Sequence, residues 1–143
     1  MKVPIRRVDK DLPLPAYKTA GAAAMDCTVR ADTTIPPGTV GYVPLNVALK
    51  PPRGHFLLMA ARSSLHKRGV TMANGIGIGD EDFCGNGDEY RAALLNFSNE
   101  PVEIKRGDRV VQILILPVDR VEWEEVETLG APDRGGYGTT GIQ

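Results

Sequence analysis

The sequence predicts an all-β protein, an antiparallel sandwich or barrel, and three observations support this class. Eleven prolines and sixteen glycines are distributed along all 143 residues instead of being gathered in one linker. Short apolar and β-branched segments lie between them, and turn-forming sequences recur at short intervals. This spacing of strands and turns is typical of sandwiches and barrels. A chain of this length buries about 68–70% of its unfolded surface, so a single domain can supply its own core.

Five segments have the composition of strands. Strands are predicted, in chain order, over residues 40–49, 55–61, 90–97, 109–116 and 118–126, with turns at 36–38, 51–54, 98–101 and 106–108. Pro44 indicates an edge or a bulge, because proline cannot donate to a strand ladder. In the last segment Val121 and Trp123 alternate with acidic residues, which predicts a strand with one wet face. Residues 63–68 are predicted to form a helical turn with serine hydroxyls as its N-cap.

Composition limits the possible partners. The formal net charge is −1 and the pI about 6.1, so there is no excess of cations for a polynucleotide backbone. The two cysteines, Cys27 and Cys84, and two histidines do not have the spacing of a disulfide framework or a zinc site. The longest apolar run is too short to cross a bilayer, and the N-terminus lacks an apolar signal core. We expect a cytoplasmic protein that binds neither nucleic acid nor membrane.

Two short polar stretches interrupt the strand pattern. Arg62, Ser63 and Ser64 follow a predicted strand directly, where a guanidinium, hydroxyls and main-chain N–H groups can form a phosphate cradle. A helix cap beside a solvated arginine explains these residues equally well. Residues 106–112 form a turn and a strand in which Gln112 is the only interior polar candidate. A buried amide needs a partner, and a ligand is one possibility.

Residues 74–86 alternate glycine with isoleucine and then turn acidic. Glycines in a strand leave the main chain accessible on one side, so its N–H and C=O groups can read the edge of a base. Asp80 and Asp82 close this segment. A carboxylate at Asp80 can orient and deprotonate a water, while an Asx turn is the alternative explanation for the Asp-x-Asp pair.

The C-terminal stretch, residues 131–143, is rich in glycine and has no apolar periodicity, so it cannot form part of a core. It carries the cation Arg134, the aromatic ring of Tyr137, and the hydroxyls of Thr139 and Thr140. These groups and the main-chain N–H groups around Gly138 can close over an anion attached to a flat ring, such as a nucleoside phosphate. We expect residues 1–130 to form the domain and residues 131–143 a flexible arm.

In chain order these stretches resemble the five motifs of the trimeric deoxyuridine triphosphatase (dUTPase) family, and the match spans nearly the whole chain. The matching segments are residues 20–27 (AGAAAMDC), 61–65 (ARSSL), 74–85 (NGIGIGDEDFCG), 107–112 (GDRVVQ) and 134–141 (RGGYGTTG). The resemblance implies a distorted jelly-roll β-barrel and a homotrimer with active sites between subunits. It also implies magnesium-assisted hydrolysis of dUTP to dUMP and pyrophosphate, which limits uracil incorporation into DNA and supplies dUMP for thymidylate synthesis.

The resemblance also implies roles for individual residues. Asp80 would activate the water that attacks the α-phosphorus, and Phe83 would face the deoxyribose. The other residues implied to bind the substrate fall into three groups: those that would hold the triphosphate (Arg62, Ser63, Ser64, Gln112), those that would bind the uracil edge (Asn74, Gly75, Ile76, Gly77, Ile78) and those on the closing arm (Arg134, Tyr137, Gly138, Thr139, Thr140). Asp26 and Asp82 would be supporting carboxylates. No protein residue would bind the metal directly, because Mg²⁺ would be held mainly by the triphosphate.

The chain departs from the family pattern at Gly79, where an aliphatic residue is usual, and residues 84–89 resemble a short insertion. Gly79 suggests a looser strand before the expected base. A dCTP deaminase is an alternative, since that family shares the Arg-Ser-Ser-Leu stretch, but Asn96 stands where its glutamate is expected. A non-catalytic nucleotide sensor on the same barrel is a second alternative.

Overall fold

The computed structural model describes residues 1–138, and almost all of its regular structure is β-strand. The strands are β1 (Ile5–Arg7), β2 (Met25–Asp26), β3 (Thr33–Ile35), β4 (Val40–Pro44), β5 (Val47–Leu49), β6 (His55–Ala61), β7 (Val70–Met72), β8 (Gly77–Gly79), β9 (Arg91–Asn96), β10 (Val102–Ile104) and β11 (Val111–Pro117). All pairings between them are antiparallel. The predicted all-β class is confirmed.

The central sheet has the strand order β2-β11-β6-β8, so β6 is paired along both edges. β11 pairs with the whole length of β6, from Val111 opposite Ala61 to Pro117 opposite His55. On the other edge, Leu57 lies opposite Gly79. The predicted strand at 55–61 is confirmed with the same bounds, because Leu57 and Met59 alternate into the core as a half-buried strand requires.

A second sheet, in the order β4-β9-β7, and the two ribbons β1-β5 and β3-β10 complete the fold. The core between the sheets consists mainly of branched aliphatic side chains; those almost completely buried include Ile35, Val43, Leu94, Ile104 and Ile113. Burying each such side chain contributes on the order of 1.5–3 kcal/mol, so this apolar layer stabilises the strand arrangement.

Two predicted strands differ from the structure. The segment 40–49 is broken into β4 and β5 at Asn46, whose positive φ of 71° turns the chain and whose side chain accepts a hydrogen bond from the Asp9 N–H at 2.7 Å. The predicted strand at 118–126 is wrong: β11 ends at Pro117, and no strand follows it up to residue 138. Trp123 there is 90% exposed. The alternating segment 118–126 pairs with no strand in the described part of the chain.

The predicted helical turn is confirmed as a single 3₁₀ turn at Leu65–Arg68. The predicted N-cap is wrong, because within the described structure the Ser64 side chain makes no capping hydrogen bond. Leu65 is buried and anchors the turn, and Gly69, with φ of 83°, ends it. Among residues 1–138 no helix is long and apolar enough to span a membrane.

The segment 84–89, which resembled an insertion, is fastened to the barrel by Glu89. Its carboxylate accepts two hydrogen bonds from the Arg30 guanidinium, at 2.7 and 2.8 Å, and a third from the Asn46 N–H at 2.9 Å. Burial alone raises the pKa of Glu89, but the hydrogen bonds from Arg30 and Asn46 outweigh it and hold that pKa below its ordinary value of 4.5. The ionised form of Glu89 is therefore stabilised by folding.

We expect Glu89→Gln to lower the free energy of unfolding at pH 7 by about 2 kcal/mol, the contribution of hydrogen bonds to a charged group. Because the folded pKa is depressed, this contribution is complete above pH 4.5 and is lost as the pH falls through the folded pKa. Thermal and urea unfolding at pH 7 and pH 3 would measure the difference in the free energy of unfolding between Glu89→Gln and wild type. This difference should be smaller at pH 3. The matched control is Glu103→Gln, since the Glu103 carboxylate is exposed and forms its ion pair with the exposed Lys105. Equal losses in both variants would contradict the assignment.

Candidate active site

A pocket of about 600 Å³ opens beside β8 and contains most of the residues expected to bind a nucleoside. Five of its lining residues were expected from the sequence: Asn74, Gly77, Ile78, Asp80 and Phe83. Tyr42, Tyr90 and Arg91 also line it and were not expected. Apolar walls combined with a few polar groups are typical of a small-molecule site.

The backbone around β8 is shaped by its glycines. Gly75 has φ of 73°, and Phe83 N–H donates to the Asp80 carbonyl at 3.1 Å, so a turn stands at each end of the strand. A Cβ at Gly77 would lie 3.0 Å from Met59 Cβ, and a Cβ at Gly79 would lie 2.3 Å from Tyr90 Oη. The face that the glycines leave open is therefore covered by side chains of this chain. Ile76 and Ile78 are 50 and 57% exposed.

Gly79 is explained by Tyr90 rather than by a looser strand. The expectation of looseness is wrong, since Gly79 is buried and paired with Leu57. The Tyr90 ring packs against Gly79 and also contacts Phe83, with the two aromatic centroids 5.1 Å apart at an interplanar angle of 75°. Burial, with smaller effects from the negative charges of Asp80, Asp88 and Cys84, raises the pKa of Tyr90 to about 12.

A second group of polar side chains lies where β6, β11 and β2 meet. Arg62 Nε is 3.2 Å from Asp26 Oδ1, and Arg109 Nη1 donates to Asp26 Oδ2 at 3.2 Å. The Asp26 side chain is only 10% exposed, so its charge is balanced by two guanidinium groups. Gln112 lies opposite Asp26 across the β2–β11 pair, and its Nε2 donates to the Ala61 carbonyl at 3.0 Å.

The expected phosphate residues are thus brought together around Asp26. Ser63 and Ser64 follow Arg62 on the exposed surface before the 3₁₀ turn. The partner of the Gln112 amide donor is a main-chain carbonyl, which explains its burial without a ligand. Arg109 was missed as a site residue, although it lies inside the fourth motif; only its contact with Asp26 distinguishes it from a solvated arginine.

The two groups do not meet within one chain. The Leu57–Gly79 pair places Asp80 beside Phe56, whereas Arg62 follows the opposite end of β6. Six residues of strand separate these points, a distance of about 20 Å at the usual rise per residue. Asp80 and Arg62 of one chain therefore lie at separate places along β6.

Of the C-terminal arm, Arg134, Tyr137 and Gly138 lie in the described chain, and Thr139 and Thr140 lie outside it. Tyr137 is fully exposed and has a positive φ of 54°. The adjacent Gly138 also has a positive φ, of 87°. None of the three lines the pocket beside β8 in the described structure.

The family model described as dUTPase matches residues 10–141. The chain belongs to the dUTPase family. The deoxyuridine 5'-triphosphate nucleotidohydrolase of Dictyoglomus turgidum is 42% identical over 149 aligned positions, with 99% of both chains covered.

Solved dUTPase structures share the fold. The dUTPase of Staphylococcus bacteriophage 80alpha with dUPNHPP has a TM-score of 0.85 and 16% identity, covering 99% of each chain. A mutant dUTPase from phage phi11 of S. aureus, described with a structural Mg(II) ion, has a TM-score of 0.81 and 16% identity, covering 92% of this chain and all of that one. The jelly-roll-like fold expected from the dUTPase resemblance is confirmed.

Asn96 is a structural residue in this dUTPase-family chain. It is completely buried at the end of β9, and its Nδ2 donates to the carbonyls of Ile35 and Glu100 at 2.8 and 2.7 Å. Its Oδ1 accepts from the Ser98 N–H and hydroxyl at 2.9 and 2.7 Å. The side chain is thus fully used in holding the turn after β9, which disfavours a deaminase-like proton shuttle at this position.

The carboxylates near the pocket do not form a metal cage in the described structure. Asp80 and Asp82 both line a second groove of about 1020 Å³, which shares Ile78 and Asp80 with the pocket beside β8. Among residues 1–138 there is no group of three or more His, Cys, Asp or Glu side chains arranged to hold a metal ion.

Proposed function

We propose that this chain hydrolyses dUTP to dUMP and pyrophosphate. The observation that carries this function is the position of Asp80, an exposed carboxylate at the mouth of the pocket beside β8 in a chain of the dUTPase family. The Asp80 carboxylate takes a proton from a water, and the water oxygen forms a bond to the α-phosphorus. The bond from the α-phosphorus to the bridging oxygen breaks, and pyrophosphate leaves with that electron pair.

The pocket supplies the nucleoside contacts in this proposal. Asn74 and the main chain from Gly75 to Ile78 form hydrogen bonds with the uracil edge, because main-chain N–H and C=O groups have fixed directions there. Phe83 covers C2′ of the sugar. A 2′-hydroxyl against this ring would be both crowded and unpaired, so deoxyribose is selected.

The cluster around Asp26 binds the triphosphate in this proposal. Arg62, with Ser63 and Ser64, supplies the charge-assisted and hydroxyl hydrogen bonds that phosphate oxygens accept, and Gln112 adds an amide. Asp26 fixes the direction of the Arg62 guanidinium through the 3.2 Å contact. Asp82 is a supporting carboxylate near Asp80, in the groove of about 1020 Å³ that both residues line.

Mg²⁺ accompanies the substrate. This ion keeps several waters and binds substrate phosphates readily, so the triphosphate itself is its main ligand. Bound there, it would neutralise phosphate charge and help to orient the triphosphate. The protein acts in a reducing compartment, the cytoplasm, where Cys27 and Cys84 stay free, as they are in the structure.

The active unit is a homotrimer with sites between subunits. Two observations support this: the separation of about 20 Å between Asp80 and Arg62 along one strand, and the exposed apolar side chains after β11. Val121, Trp123 and Leu129 are 70, 90 and 91% exposed. An extended segment of this kind is suited to packing on a neighbouring copy, which would give its alternating pattern the partner that it lacks.

The arm, residues 131–143, closes over the bound nucleotide. Tyr137 stacks on the uracil, while Arg134, Thr139 and Thr140 bind phosphate oxygens together with the N–H groups around Gly138. Closure excludes water and strengthens each of these electrostatic contacts.

Hydrolysis is tested by measuring pyrophosphate release from dUTP, dCTP, dTTP and UTP with magnesium. We expect release from dUTP alone, and we expect Asp80→Asn to lower kcat by about 10²–10⁴-fold, the usual contribution of a general base, while dUTP still binds. Glu81→Gln is the neighbouring control, since Glu81 lies outside the pocket beside β8. Near-full turnover by Asp80→Asn would remove Asp80 from the reaction, and deamination of dCTP would replace the proposed function.

The shared site is tested by mixing two inactive variants, Asp80→Asn and Arg62→Ala. If base and cradle come from different subunits, random assembly of an equimolar mixture restores activity in about a quarter of all sites. Each variant alone and a mixture of Asp80→Asn with the Asp80→Asn/Arg62→Ala double variant should stay inactive. Failure to complement in confirmed mixed trimers would contradict the intersubunit site.

The arm is tested by truncation after residue 130. We expect nearly unchanged thermal stability, because the arm adds nothing to the core, and a large loss of kcat. Arg134→Ala alone should lower kcat/KM by about 10- to 100-fold, as one charge-assisted hydrogen bond requires, whereas Lys10→Ala, an exposed cation elsewhere, should not. Full activity of the truncated chain would exclude the closing arm, and a marked fall in melting temperature would identify it as a structural element.

A further inference from the structure

Tyr90 stands out because it is buried beside the pocket without serving the expected chemistry. It is 7% exposed, and within the described structure its hydroxyl has no hydrogen-bond partner. A buried tyrosine normally pairs its hydroxyl, so hydrogen bonding within the described structure does not account for this position. Its ring, rather than its polar end, is therefore the part that needs explaining.

The ring fills the space that a side chain at position 79 would occupy. A Cβ at Gly79 would lie 2.8 Å from Tyr90 Cε1 and 2.9 Å from Cζ, in addition to the 2.3 Å from Oη. Such distances are well below normal carbon contacts, so a side chain at 79 and the ring at 90 exclude one another. Glycine at position 79 therefore leaves room for the Tyr90 ring, which contacts the chain at the residue next to Asp80.

The Tyr90 ring also contacts Phe83. The two rings form an edge-to-face pair at 5.1 Å and 75°. Phe83 itself is 38% exposed and closes the turn that begins at Asp80, so its ring packs against the protein over only part of its surface. An edge-to-face contact with a buried ring defines both the height and the tilt of the exposed one.

The position of Tyr90 is set by the segment before it. Glu89 is held by Arg30 and by the Asn46 N–H, and the Tyr90 main chain bonds to Val47 and Leu45 at 2.9 and 3.0 Å. Segment 84–89 is therefore held in place at its C-terminal end, and the next residue, Tyr90, lines the pocket beside β8. This gives the insertion a role that the motifs alone do not.

We propose that Tyr90 is a positioning residue for sugar selection. Its ring holds Phe83 against the deoxyribose and requires glycine at position 79. The proposal rests on the proposed function, in which Phe83 excludes a 2′-hydroxyl. Tyr90 acts through Phe83 and does not touch the reacting atoms.

The test is the ratio of kcat/KM for dUTP to that for UTP. In Tyr90→Leu the ratio should fall about 2- to 10-fold, which corresponds to the loss of one aromatic pair contact. Tyr90→Phe keeps the ring, so the wild-type ratio should be retained, and its melting temperature should be equal or higher because the unpaired hydroxyl is gone. A merely structural role would lower both kcat/KM values in Tyr90→Leu and leave their ratio unchanged, which would overturn the proposal. An equal fall of the ratio in Tyr90→Phe would assign the effect to the hydroxyl and would also overturn it.

The requirement for glycine is tested by Gly79→Ala, alone and with Tyr90→Leu. The single variant should lose stability and the double variant should recover much of it, because the clash is with the ring. No recovery would show that the glycine serves another purpose.

A cycle of Phe83→Ala and Tyr90→Leu, measured by thermal unfolding, reports their coupling independently of activity. If the wild type does not hydrolyse dUTP, the proposed function fails while this cycle still decides whether Tyr90 holds Phe83. A coupling of zero would overturn the positioning role.

Discussion

The pairing of β6 on both edges is the constraint on which the rest of the molecule depends. β11 hydrogen-bonds along the whole of His55–Ala61, and β8 pairs with the opposite edge at Leu57, Leu58 and Met59. An interior strand held in this way has neither the freedom to bend nor the freedom to slip by one residue, since a slip would turn Leu57 and Met59 away from the core. The positions of Asp80 and Arg62 relative to one another along β6 are thereby fixed.

Sequence patterns predicted the interior of the fold better than its edges. The segment 55–61 was predicted with its observed bounds because alternation and flanking turns agree there. The strand at 118–126 failed because alternation indicates only that one face needs cover, not where that cover comes from. The break at Asn46 depends on a positive φ and on a bond to Asp9, a contact 37 residues away that no local pattern contains.

The site shows the same division. Asp80, Asn74 and Phe83 were expected and do line one pocket, and Arg62 and Gln112 were expected and do lie near Asp26. The motifs therefore contain most of the local chemistry. Tyr90 was missed because it reads as an ordinary strand aromatic until its ring is seen against Gly79. Residue roles of this kind arise from pairs that are distant in the chain, so they require three-dimensional contact information.

Trp123 has a further consequence for how the assembly can be observed. It is the only tryptophan in the sequence, and it lies on the exposed segment after β11. Indole emission moves to shorter wavelengths when the ring passes from water into an apolar contact. If this segment packs on a neighbouring copy, the protein carries an intrinsic optical reporter of subunit association. This reporter does not line the pocket beside β8 and is free of interference from other indoles. Dilution and dissociation can then be followed on the unlabelled chain, separately from catalysis.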